Sequence, residues 1–502
     1  HLIVLTGLWS GDSEGRRWYK INSSLRLFIM EGDSEDDIDS RDSQQSSEEE
    51  AGDHSPVSDD GYVGLDAEVP NTFSFTNANV ASTTAVPPSR KLQPFADDCK
   101  SYDIVPYVAA IHSCHIHSLA ATRNMRWVFT GGEDGFIRKY DFFASISGKT
   151  LLTQNQKHAQ VESVQKAGVI SSYWENEEIP LPSVAPPKPV EEANGAAEEG
   201  TTQNVQEPPM PELKTSPVYS LAVHSEAIWL LSGLESGAIN LFTVRHEEGK
   251  CHHVMRQHKS PVSVLRIAHD ETSFVSGSWD KTVLSWDLNT GQVVREFIGH
   301  SSQISSVEFR PITPLSAKAS MQSSPEPFNP LFDAPEEMLT HSNDVLLTTS
   351  IDGNCFVWDK RVANSIPRKM PPPERTPPWC LSSCWNADGS KIYCGRRNGT
   401  VDEWDFASGK FVRSFKMPSG SGPVSCVAGM PNGKHIICAS TDNIRLWNVS
   451  EDIEVSKSAV PFLIIPGHHG GSISQILVDP NCRYMITTSG NRGWEGTSTE
   501  AA

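Results

Sequence analysis

The chain has 502 residues, with 42 Lys+Arg against 62 Asp+Glu and a formal net charge of −20. The acidity is local: residues 31–68 hold fifteen acids and one base (Arg41), residues 150–216 hold ten acids and four bases, and the remainder is close to neutral. That distribution argues against sequence-specific nucleic-acid binding, which needs clustered Lys and Arg, and against an anionic membrane surface; no apolar run approaches the roughly 20 residues that span a bilayer.

The opening His1-Leu-Ile-Val-Leu-Thr-Gly-Leu is short and lacks a basic region before it, so it does not read as a signal peptide. The first residue is not Met, and the start is read as a fragment or a gene-model error. Sequons at Asn22, Asn398 and Asn448 read as chance matches. Residues 31–60 are Ser, Asp, Glu and Gln with almost no apolar content, too little to offset the entropy of ordering. Residues 61–95 are rich in Pro, Thr and Asn. The expectation is a disordered acidic tail over 1–98 and a folded region over 99–502. The ten cysteines are scattered with no Cys-x-x-Cys pair, which predicts reduced thiols.

From about residue 100, short runs of Val, Ile, Trp and Phe alternate with Gly, Asp and Asn turns, an all-β pattern. Units end on an aromatic and, in most cases, an acid: Tyr140-Asp141, Phe242-Thr243, Trp286-Asp287, Trp358-Asp359, Trp404-Asp405 and Trp447-Asn448. Three steps, of 44, 46 and 43 residues, match the roughly 40–45-residue WD-repeat period. Two longer steps, of 102 and 72 residues, are one period plus low-complexity insertions at about 150–215 and 312–342. A further unit starts at Gly467-His468. The predicted fold is a seven-bladed WD-repeat β-propeller. Its last blade is incomplete: Tyr102-Asp-Ile-Val-Pro-Tyr-Val supplies an outer strand, a third strand is missing, and the chain reads as truncated and less stable for it.

His258 with Ser276 and Asp280, and His300 with Asp352, have the residue types of a catalytic triad. Their repetition, and the lack of a Gly-x-Ser-x-Gly elbow, favour a buried hydrogen-bond network with Trp286, Trp358, Trp404 and Trp447. No enzyme activity is expected. His112, Cys114, His115 and His117 crowd together, as do Cys251, His252 and His253, but strand alternation splits the first group over two faces. No metal or other cofactor is expected. Cys380 and Cys384 read as small core residues.

Residues before the turn acids reach the top rim of a propeller: Glu133, Trp279, Ile351, Arg397 and Thr441. Tyr219 and Trp379 enter innermost strands at the same rim. Tyr219, Trp279, Trp379, Arg396, Arg397 and Glu133 are therefore the candidate protein-binding residues, rich in the Trp, Tyr and Arg of interface hot spots. Trp358-Asp-Lys-Arg361 matches the WD-x-Arg signature of cullin ubiquitin-ligase receptors, the alternative function.

Longer stretches carry a more specific likeness. Arg126-Trp-Val-Phe-Thr-Gly-Gly-Glu-Asp-Gly-Phe-Ile-Arg-Lys-Tyr-Asp-Phe142, Ile464-Ile-Pro-Gly-His-His-Gly470 and Thr487-Thr-Ser-Gly-Asn-Arg-Gly-Trp-Glu-Gly-Thr-Ser-Thr-Glu500 resemble the fungal WD-repeat subunit family of the SAGA transcriptional coactivator. The resemblance covers about 100–500. It departs at residues 1–30, which do not look like the family's acidic start, and at the early end of the last blade. It implies a nuclear scaffold, partnered by other SAGA subunits and the TATA-binding protein, that regulates initiation by RNA polymerase II. The acidic tail suits either electrostatic contact with the TATA-binding protein or a solubilising, phosphoregulated role.

Overall fold

The computed structural model describes residues 2–10, 99, 102–153, 156, 164–179, 214–311, 344–362, 366–374, 376–450, 461–467 and 472–494. The chain divides into two compact units, His1–Gly11 with Arg90–Ala502, and Asp12–Ser89. All described residues belong to the first. The acidic stretch 31–68, the rest of the expected tail from 11 to 98, and the insertion 312–342 lie outside the described residues.

Six sheets are four-stranded antiparallel blades. In order from the inner strand outward, blade 1 is Ile116–Ala121, Trp127–Gly132, Phe136–Asp141 and Ile170–Glu175. Blade 2 is Ser220–Val223, Trp229–Gly233, Ala238–Thr243 and Cys251–Arg256. Blade 3 is Val262–Ile267, Ser273–Ser278, Val283–Asp287 and Gln292–Phe297. Blade 4 is Ile304–Phe309, Val345–Ser350, Cys355–Asp359 and Arg368–Met370. Blade 5 is Cys380–Trp385, Lys391–Arg396, Thr400–Asp405 and Phe411–Lys416. Blade 6 is Val424–Gly429, His435–Ser440, Ile444–Asn448 and Phe462–Ile465.

The sequence dictates these positions through burial. Second strands are covered on both faces by neighbouring blades and so read as continuous apolar and small residues, as in Ser273–Ser278. Outer strands meet solvent on one face and alternate, as in Gln292–Phe297. The core is accordingly divided into layers between blades: Val264, Val275 and Val283 of blade 3 pack on Ile304, Leu346 and Trp358 of blade 4.

Six such blades form, rather than the seven expected. The sheet between blade 6 and blade 1 is a composite of five strands, in the order Ile473–Val478, Tyr484–Ser489, Leu2–Ser10, Tyr102–Ile111 and Lys166–Ala167. Its inner strand Ile473–Val478 contacts the inner strands of both neighbours, which closes the ring. The third strand expected to be missing is Leu2–Ser10, antiparallel to both sides, with Leu5 opposite Ile486 and Ser10 opposite Tyr102. The sequence reading assigns these nine residues to the tail; Leu-Ile-Val-Leu-Thr has strong strand propensity, and an open sheet edge is available to it. The stretch 150–215 also differs from expectation. It contains Ile170–Glu175, the outer strand of blade 1, and short strands Glu177–Glu178 and Lys214–Thr215 that pair with each other.

Inner strands are joined by hydroxyl bridges from blade to blade. Ser118 Oγ donates to Val218 O at 2.9 Å, Ser220 Oγ to Val262 O at 2.6 Å, and Ser263 Oγ to Ile304 O at 2.7 Å. Ser306 Oγ donates to Ser383 O at 3.2 Å, and Val427 N–H donates to Ser382 Oγ at 3.1 Å. Leu119 N–H donates to Gln475 Oε1 at 2.9 Å across the composite sheet boundary. Most inner strands also carry a bulge at this level, between Ile116 and Ser118, Val262 and Val264, Ile304 and Ser306, and Cys380 and Ser382.

Removing residues 2–10 unpairs two strands at once. The expected result is a lower thermal midpoint, with faster amide exchange in Tyr102–Ile111 and Tyr484–Ser489 but not in blades 2–4. An unchanged midpoint contradicts the pairing.

Candidate protein-binding surface

The histidine networks are internal. In blade 3, Trp286 Nε1–H donates to Ser276 Oγ at 2.7 Å, and His258 Nε2 lies 2.7 Å from the same oxygen. His258 Nδ1 lies 3.0 Å from Asp280 Oδ2 and 2.9 Å from Thr282 Oγ1. Burial alone raises the Asp280 carboxyl; the hydrogen bonds from His258 and Thr282 outweigh it and hold the group well below the usual carboxylate range. In blade 4, Trp358 Nε1–H donates to Thr348 Oγ1 at 2.8 Å, and His300 lies 2.7 Å from Thr348 Oγ1 and 2.8 Å from Ser350 Oγ. Asp352 joins through Ser350, which donates to it at 2.5 Å. Ser276 is buried with both neighbours in place, so the triad-like set has no free nucleophile.

Trp404 and Trp447 are not members of such networks. Both are buried by packing, and their indole N–H groups have no partner among the described residues. An arginine stands at the polar centre of their blades instead. Arg396 Nε–H donates to Asp402 Oδ2 at 2.9 Å in blade 5, and Arg445 Nη2–H donates to Asp442 Oδ2 at 2.6 Å in blade 6.

That finding corrects the binding role expected of Arg396. Its side chain is 0% exposed, and its Nη1–H donates to Pro378 O at 3.0 Å and Gly353 O at 3.3 Å. It supports the surface from beneath. Tyr219, 5% exposed, is also withdrawn from the surface. His117 stacks on one side of it at 5.6 Å, and Trp279 meets it edge-on at 5.3 Å. Burial pushes its phenol up to about 12, with Glu235 and Glu133 adding to the shift, so Glu133 lies within electrostatic reach of this cluster.

The cover over Tyr219 and Trp279 is the segment 491–494, which sequence reasoning missed. Trp494 stacks on Trp279 at 5.0 Å, and Gly493 (φ +76°) sits so close that a Cβ there would lie 2.6 Å from Tyr219. Arg492 Nη2–H donates to Ser305 O at 2.9 Å, and Nη1–H donates to Leu381 O at 3.4 Å. Ser305 and Leu381 are the bulge residues of blades 4 and 5, whose carbonyls are released from the ladder. Arg492 thereby lines a central cavity of about 280 Å³, together with Arg266, Glu308, Ser382 and Gln475. Burial pushes its guanidinium down to about 10. The available signal was Asn491-Arg492-Gly493-Trp494 directly after a strand, a turn with an aromatic in it.

Trp379 and Arg397 form a separate, open pair on blade 5. Trp379 is 43% exposed, and the Arg397 guanidinium carbon lies 3.8 Å from its ring centroid. With Pro377, Pro378 and Asn398 they line a shallow depression of about 280 Å³. The six candidates therefore divide: Tyr219 and Trp279 in a covered cluster with the half-buried Glu133 within electrostatic reach, Trp379 and Arg397 at the surface, Arg396 in the core. Arg361, in the WD-x-Arg match, folds back on Asp359 with Nη2–H donating to Oδ2 at 2.7 Å. Among the metal candidates, His112 Nε2 lies 2.7 Å from Tyr140 Oη.

The SPT8 beta propeller family model matches residues 102–333 and 334–502. SAGA complex subunit Spt8 of Schizosaccharomyces pombe is 40% identical over 462 residues, covering 82% of this chain and 81% of that protein. SAGA complex subunit SPT8 of Saccharomyces cerevisiae is 39% identical over 447 residues, covering 80% of this chain and 71% of that protein. U3 small nucleolar RNA-associated protein 15 of Schizosaccharomyces pombe is more distant, at 26% over 256 residues.

Two outcomes are expected from this geometry. Burial lowers His112, His117 and His300 each from 6.5 to about 4. The unfolded chain binds more protons between those values, so the stability tied to these groups is complete above pH 6.5 and lost as the pH falls toward 4. A thermal midpoint flat across that window runs against this; His300→Gln should remove part of the slope. Gly493→Val should displace the cover and red-shift the tryptophan emission as Trp279 and Trp494 separate. An unchanged spectrum means that the segment does not shield them.

Proposed function

We propose that this chain, which belongs to the SPT8 β-propeller family of SAGA complex subunits, is a non-enzymatic nuclear scaffold that engages the TATA-binding protein and regulates initiation by RNA polymerase II. The observation that carries the reading is the likeness to two SAGA subunits over four-fifths of the chain. The polar networks agree with it, because the groups that resemble a catalytic triad are consumed in hydrogen bonds within blade 3. In this reading the composite sheet takes the place of a seventh blade, and the ring displays its loops to other SAGA subunits.

The charge pattern supplies a physical route to the TATA-binding protein. A protein that grips DNA presents positive charge to phosphates. Residues 31–68, with fifteen acids and one base, offer that surface a competing polyanion. Such attraction acts at long range and is screened within about 10 Å at 0.1 M salt.

Purifying the tagged chain from nuclear extract should bring down SAGA subunits and the TATA-binding protein together; recovery of neither ends the reading. Deleting 31–68 should weaken binding of purified TATA-binding protein at low salt and matter little at high salt. Equal affinity with and without the segment at low salt removes the electrostatic route.

A further inference from the structure

We infer that Trp379 and Arg397 are a docking point for an acidic peptide segment that carries a bulky apolar side chain. This partner is distinct from the TATA-binding protein and of opposite charge to a DNA-gripping surface.

The loop holding Trp379 is built, not merely exposed. Gly353 (φ +84°) lets Pro378 approach the blade 4 turn so closely that a Cβ at Gly353 would lie 1.7 Å from Pro378 O. The same carbonyl accepts from Arg396, whose buried pairing with Asp402 fixes the donor. Arg397 N–H donates to Trp379 O at 3.2 Å, which ties the tryptophan to the neighbouring turn. Three constraints from two blades therefore hold a tryptophan that buries only about half of itself. The entropy of ordering this anchor is spent in folding, which leaves binding energy for a partner. A rigid tryptophan beside an arginine is the residue pair that dominates interface energetics.

Arg397 sets the sign of the partner. Its guanidinium carbon sits over the Trp379 ring at 3.8 Å from the centroid, and no carboxylate among the described residues forms an ion pair with it. A guanidinium held over an indole can still offer N–H groups as a fork to one carboxylate. Pro377 and Pro378 floor the adjoining depression of about 280 Å³ with apolar surface, room for an aliphatic or aromatic side chain. The complementary ligand is an Asp or Glu next to a Leu-like or Phe-like residue. A lysine-rich segment meets like charge here.

The test is fluorescence anisotropy with the full chain and a labelled peptide alternating aspartate with leucine and phenylalanine. A counterpart with lysine for aspartate is the control. The acidic peptide should bind in preference to the basic one. Trp379→Ala and Arg397→Glu should each weaken it by about tenfold or more, and Arg397→Glu should reverse the charge preference. Arg397→Lys keeps the charge and loses the fork, so its affinity should fall in between. Both positions are at the surface, and the thermal midpoint should not move. Equal affinity for the two peptides, failure of the acidic peptide to bind, or wild-type affinity in both Trp379→Ala and Arg397→Glu overturns the inference. Capture of the TATA-binding protein by these variants should be unchanged; its dependence on 31–68 reports the other reading separately.

Discussion

The ring stands on hydroxyl bridges between inner strands. Each blade is a meander that satisfies its own backbone internally, so backbone pairing alone gives no reason for one blade to meet the next at a fixed height. Apolar layers between blades supply attraction but little register, because packing tolerates sliding better than a hydrogen bond does. Ser118, Ser220, Ser263 and Ser306 each donate across the gap to a carbonyl of the following blade. A buried hydroxyl without a partner is costly, so each serine favours one alignment over its neighbours. The inner-strand bulges follow from the same crowding at the axis. They also release the carbonyls that Arg492 takes up, so the device that aligns blades prepares the anchor for the segment over Tyr219 and Trp279.

Blades 3 and 4 and blades 5 and 6 solve one problem in two ways. The first pair uses neutral hydroxyls and an imidazole to connect a buried indole to a turn acid. The second pair places a guanidinium against a carboxylate, that of Asp402 on the third strand in blade 5 and that of the turn residue Asp442 in blade 6, and leaves the indole to packing. Taking the Arg396–Asp402 pair fully out of water is expensive, and such pairs contribute less to stability than their distances suggest. What the arginine adds is reach: an imidazole ends at its own turn, whereas Arg396 continues to Pro378, at the entry to its own blade, and to Gly353 in the adjoining blade. Its effect is felt at Trp379, which it never touches through its ring face.

Local sequence carried the repeat well, because an aromatic at the end of each third strand, followed in most by an acid, is a signal that burial and turn geometry both favour. Trp286 and Trp358 were legible with their partners for that reason. Trp404 and Trp447 look the same along the chain, and only the loss of a histidine before each blade hinted that their networks differ. Arg396 and Arg397 are adjacent, yet one is core and one is surface. Strand alternation does not separate them, since second strands are buried on both faces and Arg396 is the last residue of one. Tyr219 was misplaced because its cover arrives from 270 residues further along the chain. Leu2–Ser10 was misplaced likewise: nothing near it in sequence reveals a partner strand at Tyr484–Ser489.

That last pairing has a kinetic meaning. Blades 2–6 are made of consecutive strands, and each can form as soon as its own segment exists; blade 1 departs from this only by Lys166–Ala167, which precedes its outer strand and joins the composite sheet. The composite sheet instead joins Leu5 to Ile486, so its ladder can form only once the chain has been made through Tyr484–Ser489, beyond all six blades. Contacts of such separation in sequence are slow to form because closure entropy is met before any stabilisation returns. Until then, blades 1 and 6 lack the sheet that covers their facing flanks, and apolar surface left open during folding invites misassembly.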